Sequence, residues 1–333
     1  METEVSLELQ RLSQQLQQSW KIVRTPRMKA ILKIQDIACD AMRSYLRSEG
    51  FIELLPPIIG PVTDPGIRGA KQVTFDYYGR EYKVMSSAIL YKQAAMSGLG
   101  KIFFMSPNVR LEPIDSAFTG RHLVEFVQLD LEIAEATYFD AMSVAERLLC
   151  EAVNTVRDTC QSELEYLNRN LPRLTPPFKK LTYDETLEYL RVNGVKMRYG
   201  IEIPWDAEQL LSKLVGEPFF IIDYPRGARG FYDREDEKRP GILRDFDLIY
   251  PEGYGECASG AEREHRYEKV LARMKETGED PRKYSWYLEM LREGIPPSAG
   301  FGIGIERLTR YLCGLEYVWE ARLCPKLAGI HSP

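Results

Sequence analysis

The chain has 333 residues, of which 44% are hydrophobic and 28% are charged, and its net charge is −5. This composition is ordinary for a soluble globular protein with one or two sizeable domains. The acidic balance argues against a general nucleic-acid-binding surface, and no apolar run approaches the ~20 residues that span a membrane.

The cysteines and histidines give no sign of a structural zinc site. Six cysteines are scattered along the chain without a Cys-x-x-Cys pair, and there are only three histidines. Scattered cysteines in a chain of this length fit a reducing compartment. The N-terminus has no basic-then-apolar signal pattern, so we expect a cytoplasmic protein.

The predicted elements begin with a short N-terminal extension, residues 1–24. Apolar residues at steps of three and four predict an amphipathic helix over 5–20. These residues are Leu9, Leu12, Leu16 and Trp20. The Thr25-Pro26 pair then breaks this helix before the main domain begins.

The apolar patterns of the remaining chain predict helices and strands in an irregular order. Helices are predicted over 28–48, 86–97, 140–166 and 263–277. Strands are predicted over 51–59, 101–106, 123–133, 218–224 and 244–250, with a hairpin over 73–84. Residues 168–215 are interpreted as a less regular insertion. Because regular βαβ alternation is missing, we predict an α+β fold with an antiparallel sheet flanked by helices.

The stretch from Ala299 to Leu308 is the most informative of the chain. Three glycines alternate with apolar residues, which predicts a buried strand with one bare face, open to a flat ligand or a phosphate. Arg307 follows at a predicted strand-to-helix junction, where a guanidinium suits a phosphate or a carboxylate. The alternative is a glycine-rich strand packed under a helix, with Arg307 on the surface.

Two further stretches carry charges at alternate positions. Arg110 and Glu112 are two residues apart, and so are Gln128, Asp130 and Glu132 on a later predicted strand. Side chains two apart on a strand share a face, so each set converges on one side of the sheet. These charges either line a site or mark a solvated sheet face.

A third stretch carries hard oxygen ligands. Glu256, with Asp247 or Ser259, could supply the few oxygen atoms that Mg²⁺ needs while a nucleotide supplies the others. The run Glu262-Arg263-Glu264 that follows also fits an exposed charged helix start.

Together these stretches resemble motifs 2 and 3 of the class II aminoacyl-tRNA synthetases, in the aspartyl/asparaginyl branch. The matching runs are Arg110 with Glu112, Arg121-His122-Leu-x-Glu125-Phe126, and Gly300-Phe-Gly-x-Gly-x-Glu306-Arg307. The resemblance covers about residues 25–333. It implies the class II synthetase catalytic fold for this whole domain.

The resemblance implies an ATP site with bound Mg²⁺. Arg110 and Arg307 would be catalytic residues that bind the α- and γ-phosphates. Arg121 and His122 would contact the β- and γ-phosphates of a bent ATP. Glu256, with Asp247 or Ser259, would hold the metal ion.

The resemblance also implies an adenine pocket and an aspartate pocket. Phe126 would stack on adenine, and Glu112 would hold its amino group. Lys92 and Arg263 would meet a carboxylate of aspartate, and Asp130 would face its ammonium. The full implied aspartate set is Ser87, Lys92, Gln128, Asp130 and Arg263. Ile89 stands where the aspartyl pattern has glutamine, so no contact to the amino-acid backbone is transferred to it.

The nearest resemblance is to the stand-alone asparagine synthetases of archaeal type, which are related to asparaginyl-tRNA synthetase. Only about 25 residues precede the catalytic body, too few for an anticodon-reading β-barrel. The resemblance implies that aspartate is activated as its adenylate at the β-carboxylate and is then attacked by ammonia, without tRNA. A homodimer and no membrane partner are expected.

Three alternatives stay open. The same adenylate could pass to another amine in small-molecule biosynthesis, or the chain could be a non-catalytic regulatory paralogue. A truncated tRNA-charging enzyme is less favoured because of the acidic charge and the missing barrel.

Overall fold

The computed structural model describes residues 10–64 and 69–333. The helices are α1 (10–16), α2 (Ser19–Ile22), α3 (Pro26–Ser48), α4 (Ile89–Ala95), α5 (Tyr138–Thr159), α6 (Gln161–Tyr166), α7 (Tyr183–Val192), α8 (Trp205–Val215), α9 (Tyr267–Glu276), α10 (Ser285–Glu293) and α11 (Ile305–Cys313). The strands are β1 (Ile52–Glu53), β2 (Ile59–Gly60), β3 (Thr74–Tyr77), β4 (Arg80–Val84), β5 (Lys101–Val109), β6 (Glu125–Ala134), β7 (Lys179–Thr182), β8 (Phe219–Ile222), β9 (Asp245–Tyr250), β10 (Gly255–Glu262) and β11 (Ser298–Gly304).

An eight-stranded sheet organises the molecule, in the order β1-β5-β6-β11-β10-β9-β8-β7. Its central strands are antiparallel, as predicted, whereas the two edge pairs, β1 with β5 and β7 with β8, are parallel. The sheet is therefore mixed at its edges. Strands β2, β4 and β3 form a separate antiparallel sheet that contains the predicted hairpin.

The two faces of the large sheet have different environments. Leu129 and Leu131 of β6 and Phe301 and Ile303 of β11 are fully buried in one core with α3 and α5. Because strand side chains alternate, the intervening residues of these strands project from the opposite face. That opposite face carries the polar residues of the candidate site.

The two long helices that cover the sheet begin with clear N-caps. The Thr25 hydroxyl accepts a hydrogen bond from the Met28 N–H at 3.2 Å, with Pro26 in the first turn of α3. Thr137 and Asp140 form a capping box at the start of α5. The predicted helix over 140–166 is interrupted at Cys160, so that α5 and α6 are separate.

The N-terminal extension departs from the single predicted helix. Its first nine residues, including Leu9, lie outside the described residues. The described part forms α1 and α2, which are separated by a turn. Leu16 is buried, whereas Trp20 is 48% exposed.

The insertion over 168–215 is more ordered than its sequence suggested. Strand β7 extends the large sheet at its edge, and α7 and α8 follow it. A capping box formed by Thr182 and Glu185 starts α7. The insertion therefore builds on the main sheet, and α8 reaches the candidate site.

Candidate active site

A cavity of about 480 Å³ lies over the polar face of the large sheet. Strands β6, β10 and β11 contribute to its lining, together with the segments after β5 and after β8. The predicted site residues that line it are Ser87, Lys92, Arg110, Glu112, Arg121, His122, Phe126, Gln128, Asp130, Glu256, Ser259, Arg263 and Arg307. The fold thus gathers residues that are up to 220 positions apart in sequence.

Three arginines, Arg110, Arg121 and Arg307, line one part of the cavity, which we call the arginine end. Glu256 lies between two of them. Its Oε1 is 3.3 Å from Arg307 Nη1, and its Oε2 is 3.6 Å from Arg121 Nη2. Three guanidinium groups in one part of the cavity give several charged donors that suit the oxygen atoms of a polyphosphate.

The residues predicted to hold adenine lie beside the arginine end. The Arg110 guanidinium lies over the Phe126 ring, 5.1 Å from its centre, and Arg110 Nε donates to the Ser86 carbonyl oxygen at 3.0 Å. Burial raises the pKa of Glu112, although Arg110 and Arg307 act in the opposite direction. A planar base can stack on either the ring or the guanidinium.

His122 is held as a neutral imidazole. Burial and the neighbouring Arg307 and Arg121 lower its pKa to about 3. Its Nδ1 lies 2.7 Å from the Thr119 hydroxyl, which donates to the Ser116 carbonyl oxygen at 2.8 Å. Nδ1 therefore carries the proton, and Nε2 has none to donate. Nε2 could donate to a phosphate, as the resemblance implies, after His122 takes up a proton or after its proton moves from Nδ1 to Nε2.

The alternating glycines of β11 make room for carboxylates of the neighbouring strand. A Cβ atom at Gly302 would lie 2.6 Å from Asp130 Oδ1, and a Cβ atom at Gly300 would collide with the Glu132 carboxylate. The bare face is therefore largely covered by β6 side chains. The prediction that a ligand lies against the glycine backbone stays open at the Gly304 end of β11, because Gly302 and Gly304 line the cavity and a Cβ atom at Gly304 would meet no atom closer than 3.9 Å.

A second group of buried charges, which we call the ion-pair end, consists of Lys92, Asp130, Glu132, Asp233 and Arg263, and all of them except Glu132 line the cavity. Lys92 Nζ is 3.1 Å from Asp130 Oδ1 and 3.7 Å from Glu132 Oε2. Arg263 Nε is 3.1 Å from Glu132 Oε1, and its Nη1 is 3.2 Å from Asp233 Oδ1. All five side chains are less than 10% exposed, so each charge depends on its neighbours.

One oxygen of the ion-pair end has unused hydrogen-bonding capacity. Asp130 Oδ2 is buried and has no hydrogen-bond partner among the described residues, whereas its Oδ1 accepts from Lys92. Asp130, Lys92 and Arg263 all line the cavity. A buried carboxylate oxygen of this kind suits an ammonium group of a ligand.

Comparison with known proteins assigns the family. The family model described as tRNA synthetases class II (D, K and N) matches residues 11–328. The chain belongs to this class II synthetase family. The class II catalytic fold predicted from the sequence is thereby confirmed, with a sheet that is mixed rather than wholly antiparallel.

The relatives of this class II synthetase chain include enzymes named for asparagine and for aspartate. The asparagine–tRNA ligase of Pyrococcus abyssi is 36% identical over 307 residues, which cover 91% of this chain and 70% of the relative. The aspartate–tRNA(Asp/Asn) ligase of Methanopyrus kandleri is 37% identical over 309 residues, covering 91% and 69%. A crystal structure of asparaginyl-tRNA synthetase from Pyrococcus horikoshii, complexed with asparaginyl-adenylate, superposes with a TM-score of 0.90 at 34% identity and covers 96% of this chain and 73% of that chain.

The predicted metal ligands of this class II synthetase separate into two groups. Glu256 and Ser259 line the cavity, and Glu256 faces the arginine end, where phosphates are predicted. Mg²⁺ commonly binds one or two protein oxygens while phosphates and water complete its shell, so these two residues fit it. Asp247 is not in the lining, and its Oδ2 is bound to Arg229 Nη2 at 2.6 Å. Its Oδ1 is buried without a hydrogen-bond partner among the described residues, so Asp247 stays a predicted ligand, outside the cavity lining that holds Glu256 and Ser259.

Arg229 was missed by the sequence analysis. It is anchored by Asp247 and lies 3.2 Å from the Asp245 carboxylate and 3.1 Å from Glu202. Its guanidinium lies 3.9 Å from the centre of the Tyr224 ring. In the sequence, Arg229 is not part of a recognisable motif, because its partners come from three other segments of the chain.

Two residues of α8 were also missed. The Trp205 ring lies 4.2 Å from the Arg121 guanidinium, and Glu208 Oε2 is 3.7 Å from Arg121 Nη1. Burial raises the pKa of Glu208 to about 7, against the opposing effect of Arg121. The spacing of three residues places Trp205 and Glu208 on one helix face, but it does not say what that face contacts.

None of the helices within residues 10–64 and 69–333 has the length and apolar character needed to cross a membrane.

Proposed function

We propose that this class II synthetase chain is an ATP-dependent amide ligase that activates L-aspartate as an acyl-adenylate. Ammonia then attacks, and asparagine, AMP and pyrophosphate are released without tRNA. The arginine end supports a triphosphate site, with Arg110 and Arg307 on the α- and γ-phosphates. Glu256 and Ser259 would hold Mg²⁺, which neutralises phosphate charge when it is bound.

The contact between Lys92 and Asp130 is the observation that carries the proposal. In aspartate, the α-ammonium and the α-carboxylate share one carbon atom, so the groups that hold them must be neighbours. Lys92 Nζ and Asp130 Oδ1 are 3.1 Å apart, and Asp130 Oδ2 has no hydrogen-bond partner among the described residues. This pairing supports an α-carboxylate on Lys92 and Arg263 and an α-ammonium on Asp130.

In that orientation the β-carboxylate extends toward the arginine end. Its oxygen attacks the α-phosphorus of ATP and displaces pyrophosphate. The nitrogen of ammonia then attacks the β-carbonyl carbon, and the bond to AMP breaks as the nitrogen loses a proton. The protein positions the reactants and spreads the developing negative charge over its arginines.

Free ammonia is the proposed nitrogen source rather than glutamine. Cys257 lines the cavity, but burial raises the pKa of its thiol to about 12. A thiol with this pKa is protonated at neutral pH and makes a poor nucleophile. Cys257 is therefore not suited to release ammonia from glutamine within the cavity.

Mass spectrometry of the products tests the proposal. The protein is incubated with ATP, Mg²⁺, aspartate and ¹⁵N-ammonium, with no tRNA present. We expect asparagine with ¹⁵N in its side-chain amide, together with AMP and pyrophosphate. AMP without labelled asparagine would reject ammonia as the acceptor, and the absence of ATP turnover would favour a regulatory paralogue.

A second candidate is charging of tRNA with the same adenylate. It is favoured by the 36% identity to asparagine–tRNA ligases over 91% of the chain. Incubation with radiolabelled aspartate or asparagine and total tRNA distinguishes it, because charged tRNA precipitates with the label in acid. Passage of the adenylate to another small amine would give a different labelled amide in the mass spectrum.

We also infer a homodimer. Apolar side chains on β1 and in the segment that leads to β2 are exposed in the single chain: Ile52 at 49%, Leu55 at 96% and Ile58 at 59%. Neighbouring exposed apolar residues of this size are typical of a protein interface. Leu55→Asp should dissociate the dimer in sedimentation experiments, and a monomeric unsubstituted protein at micromolar concentration would reject the inference.

A further inference from the structure

Side chains of helix α8 form hydrogen bonds with the turn that leads into Glu256. The Gly253 N–H donates to Ser212 Oγ at 2.9 Å, and Ser212 Oγ in turn donates to the Tyr250 carbonyl oxygen. One turn earlier on the helix, Glu208 Oε1 accepts a hydrogen bond from the Glu256 N–H. Two side chains on one helix face therefore fix the backbone of residues 250–256.

The same helix face contacts the arginine end. Glu208 Oε2, the oxygen that does not bind the turn, is 3.7 Å from Arg121 Nη1. The Trp205 ring lies 4.2 Å from the Arg121 guanidinium centre, within the range of a cation–π contact. Arg121 is therefore held by a carboxylate and by an aromatic ring, and both come from α8.

The backbone at Gly255 lies close to Trp205 and Glu208 of α8, and this allows the arrangement. Gly255 has φ +74°, a left-handed conformation that favours glycine, and a Cβ atom there would collide with Trp205 and Glu208. Glu208 is 7% exposed, and burial of a carboxylate is costly unless it is paired. A residue that only filled space would be expected to be apolar at this position.

We propose that Glu208 and Trp205 are positioning residues that hold Arg121 and Glu256 in place for the β- and γ-phosphates of ATP. The inference rests on the proposed function, which assigns those phosphates to Arg121 and the metal to Glu256. Glu208 and Trp205 should therefore affect the binding of ATP, which has β- and γ-phosphates. AMP has only the α-phosphate, which is assigned to Arg110, so it should not depend on α8.

Calorimetric binding of ATP and of AMP to the full chain, with Mg²⁺ at pH 8, tests this inference. Glu208→Gln preserves the size of the side chain and its acceptor for the Glu256 N–H, but removes the charge that faces Arg121. We expect the Kd for ATP to rise about tenfold, the scale of one charge-assisted contact, while the Kd for AMP stays within about twofold.

A second variant and a control complete the design. Trp205→Leu retains bulk but loses the aromatic face, and it should weaken ATP in the same direction. Glu217→Gln makes the same charge change at an exposed position after α8 and should leave both affinities unchanged.

Two results would contradict the inference. Equal weakening of ATP and AMP would indicate a general packing defect, and unchanged ATP affinity in both α8 variants would show that α8 does not position Arg121. Failure of the unsubstituted protein to bind ATP would overturn the proposed function and this inference with it.

Discussion

Replacement of Lys92 is the most informative perturbation of the ion-pair end. Lys92 is 2% exposed and lies between the carboxylates of Asp130 and Glu132. Lys92→Met keeps an unbranched side chain but leaves both carboxylates without this cation. Removal of one partner from a buried ion pair costs about 3–5 kcal/mol, which is a large fraction of a typical stability of about 5–15 kcal/mol.

The effect of Lys92→Met on aspartate binding is distinct from its effect on stability. Loss of a charge-assisted hydrogen bond costs about 1.5–3 kcal/mol, or about 10- to 150-fold in affinity. Aspartate-dependent exchange of pyrophosphate into ATP measures this effect as a rise in the KM for aspartate. Asparagine has no β-carboxylate, so exchange with asparagine in the same assay would show that the α-carboxylate is activated instead.

A double variant separates substrate binding from folding. Asp130→Asn in the Lys92→Met background removes one of the unpaired charges and should recover part of the lost thermal stability. It should not restore aspartate use. Lys275→Met, at an exposed position of α9, is the matched control and should change neither property. Equal use of aspartate and asparagine before and after Lys92→Met would refute the pocket assignment.

Three further predictions concern the rest of the cavity. Arg307→Ala should lower adenylate formation by about 100-fold or more, since a positioned donor at developing charge contributes on that scale; substantial pyrophosphate exchange would contradict its role. Gly302→Ala brings a Cβ atom to 2.6 Å from Asp130 Oδ1 and should raise the KM for aspartate without changing that for ATP; an unaltered KM for aspartate would show that Asp130 does not bind the substrate. Because the pKa of folded His122 is about 3 and that of unfolded histidine is about 6.5, the unfolded state takes up a proton first as pH falls from 6.5 toward 3, and stability is lost. His122→Gln should therefore reduce the fall in Tm between pH 7 and pH 5, and an identical fall would indicate that other groups cause it.

The fold was predictable where the local pattern was strong. The 28–48 periodicity gave α3 to within two residues, and alternation around Tyr78-Gly79 gave the β3–β4 hairpin. Short-range patterns could not show that the edge pairs of the large sheet are parallel, because pairing depends on distant strands. The helix break at Cys160 likewise depends on how the chain turns after a helix.

The residues of the candidate site were predictable where they belong to family motifs. The residues that hold those motif residues in place were not predictable. Arg110 and Arg307 belong to recognisable runs, and both line the cavity. Arg229, Trp205 and Glu208 lie outside such runs, and their contacts depend on segments that fold together from different parts of the chain. Side chains that fix other side chains leave little local signal, because many combinations of residues can fill that role.

The glycines of β11 offer a way to alter which acids the cavity accepts. Asp130 lies in space that any side chain at Gly302 would enter, so two adjacent strands share one small volume. A shorter side chain in place of Asp130 would deepen the cavity, and a methyl group at position 302 would make it shallower. Because Asp130 is also the proposed ligand of the substrate ammonium, paired changes at these two positions should shift acceptance from amino acids toward acids without an ammonium group.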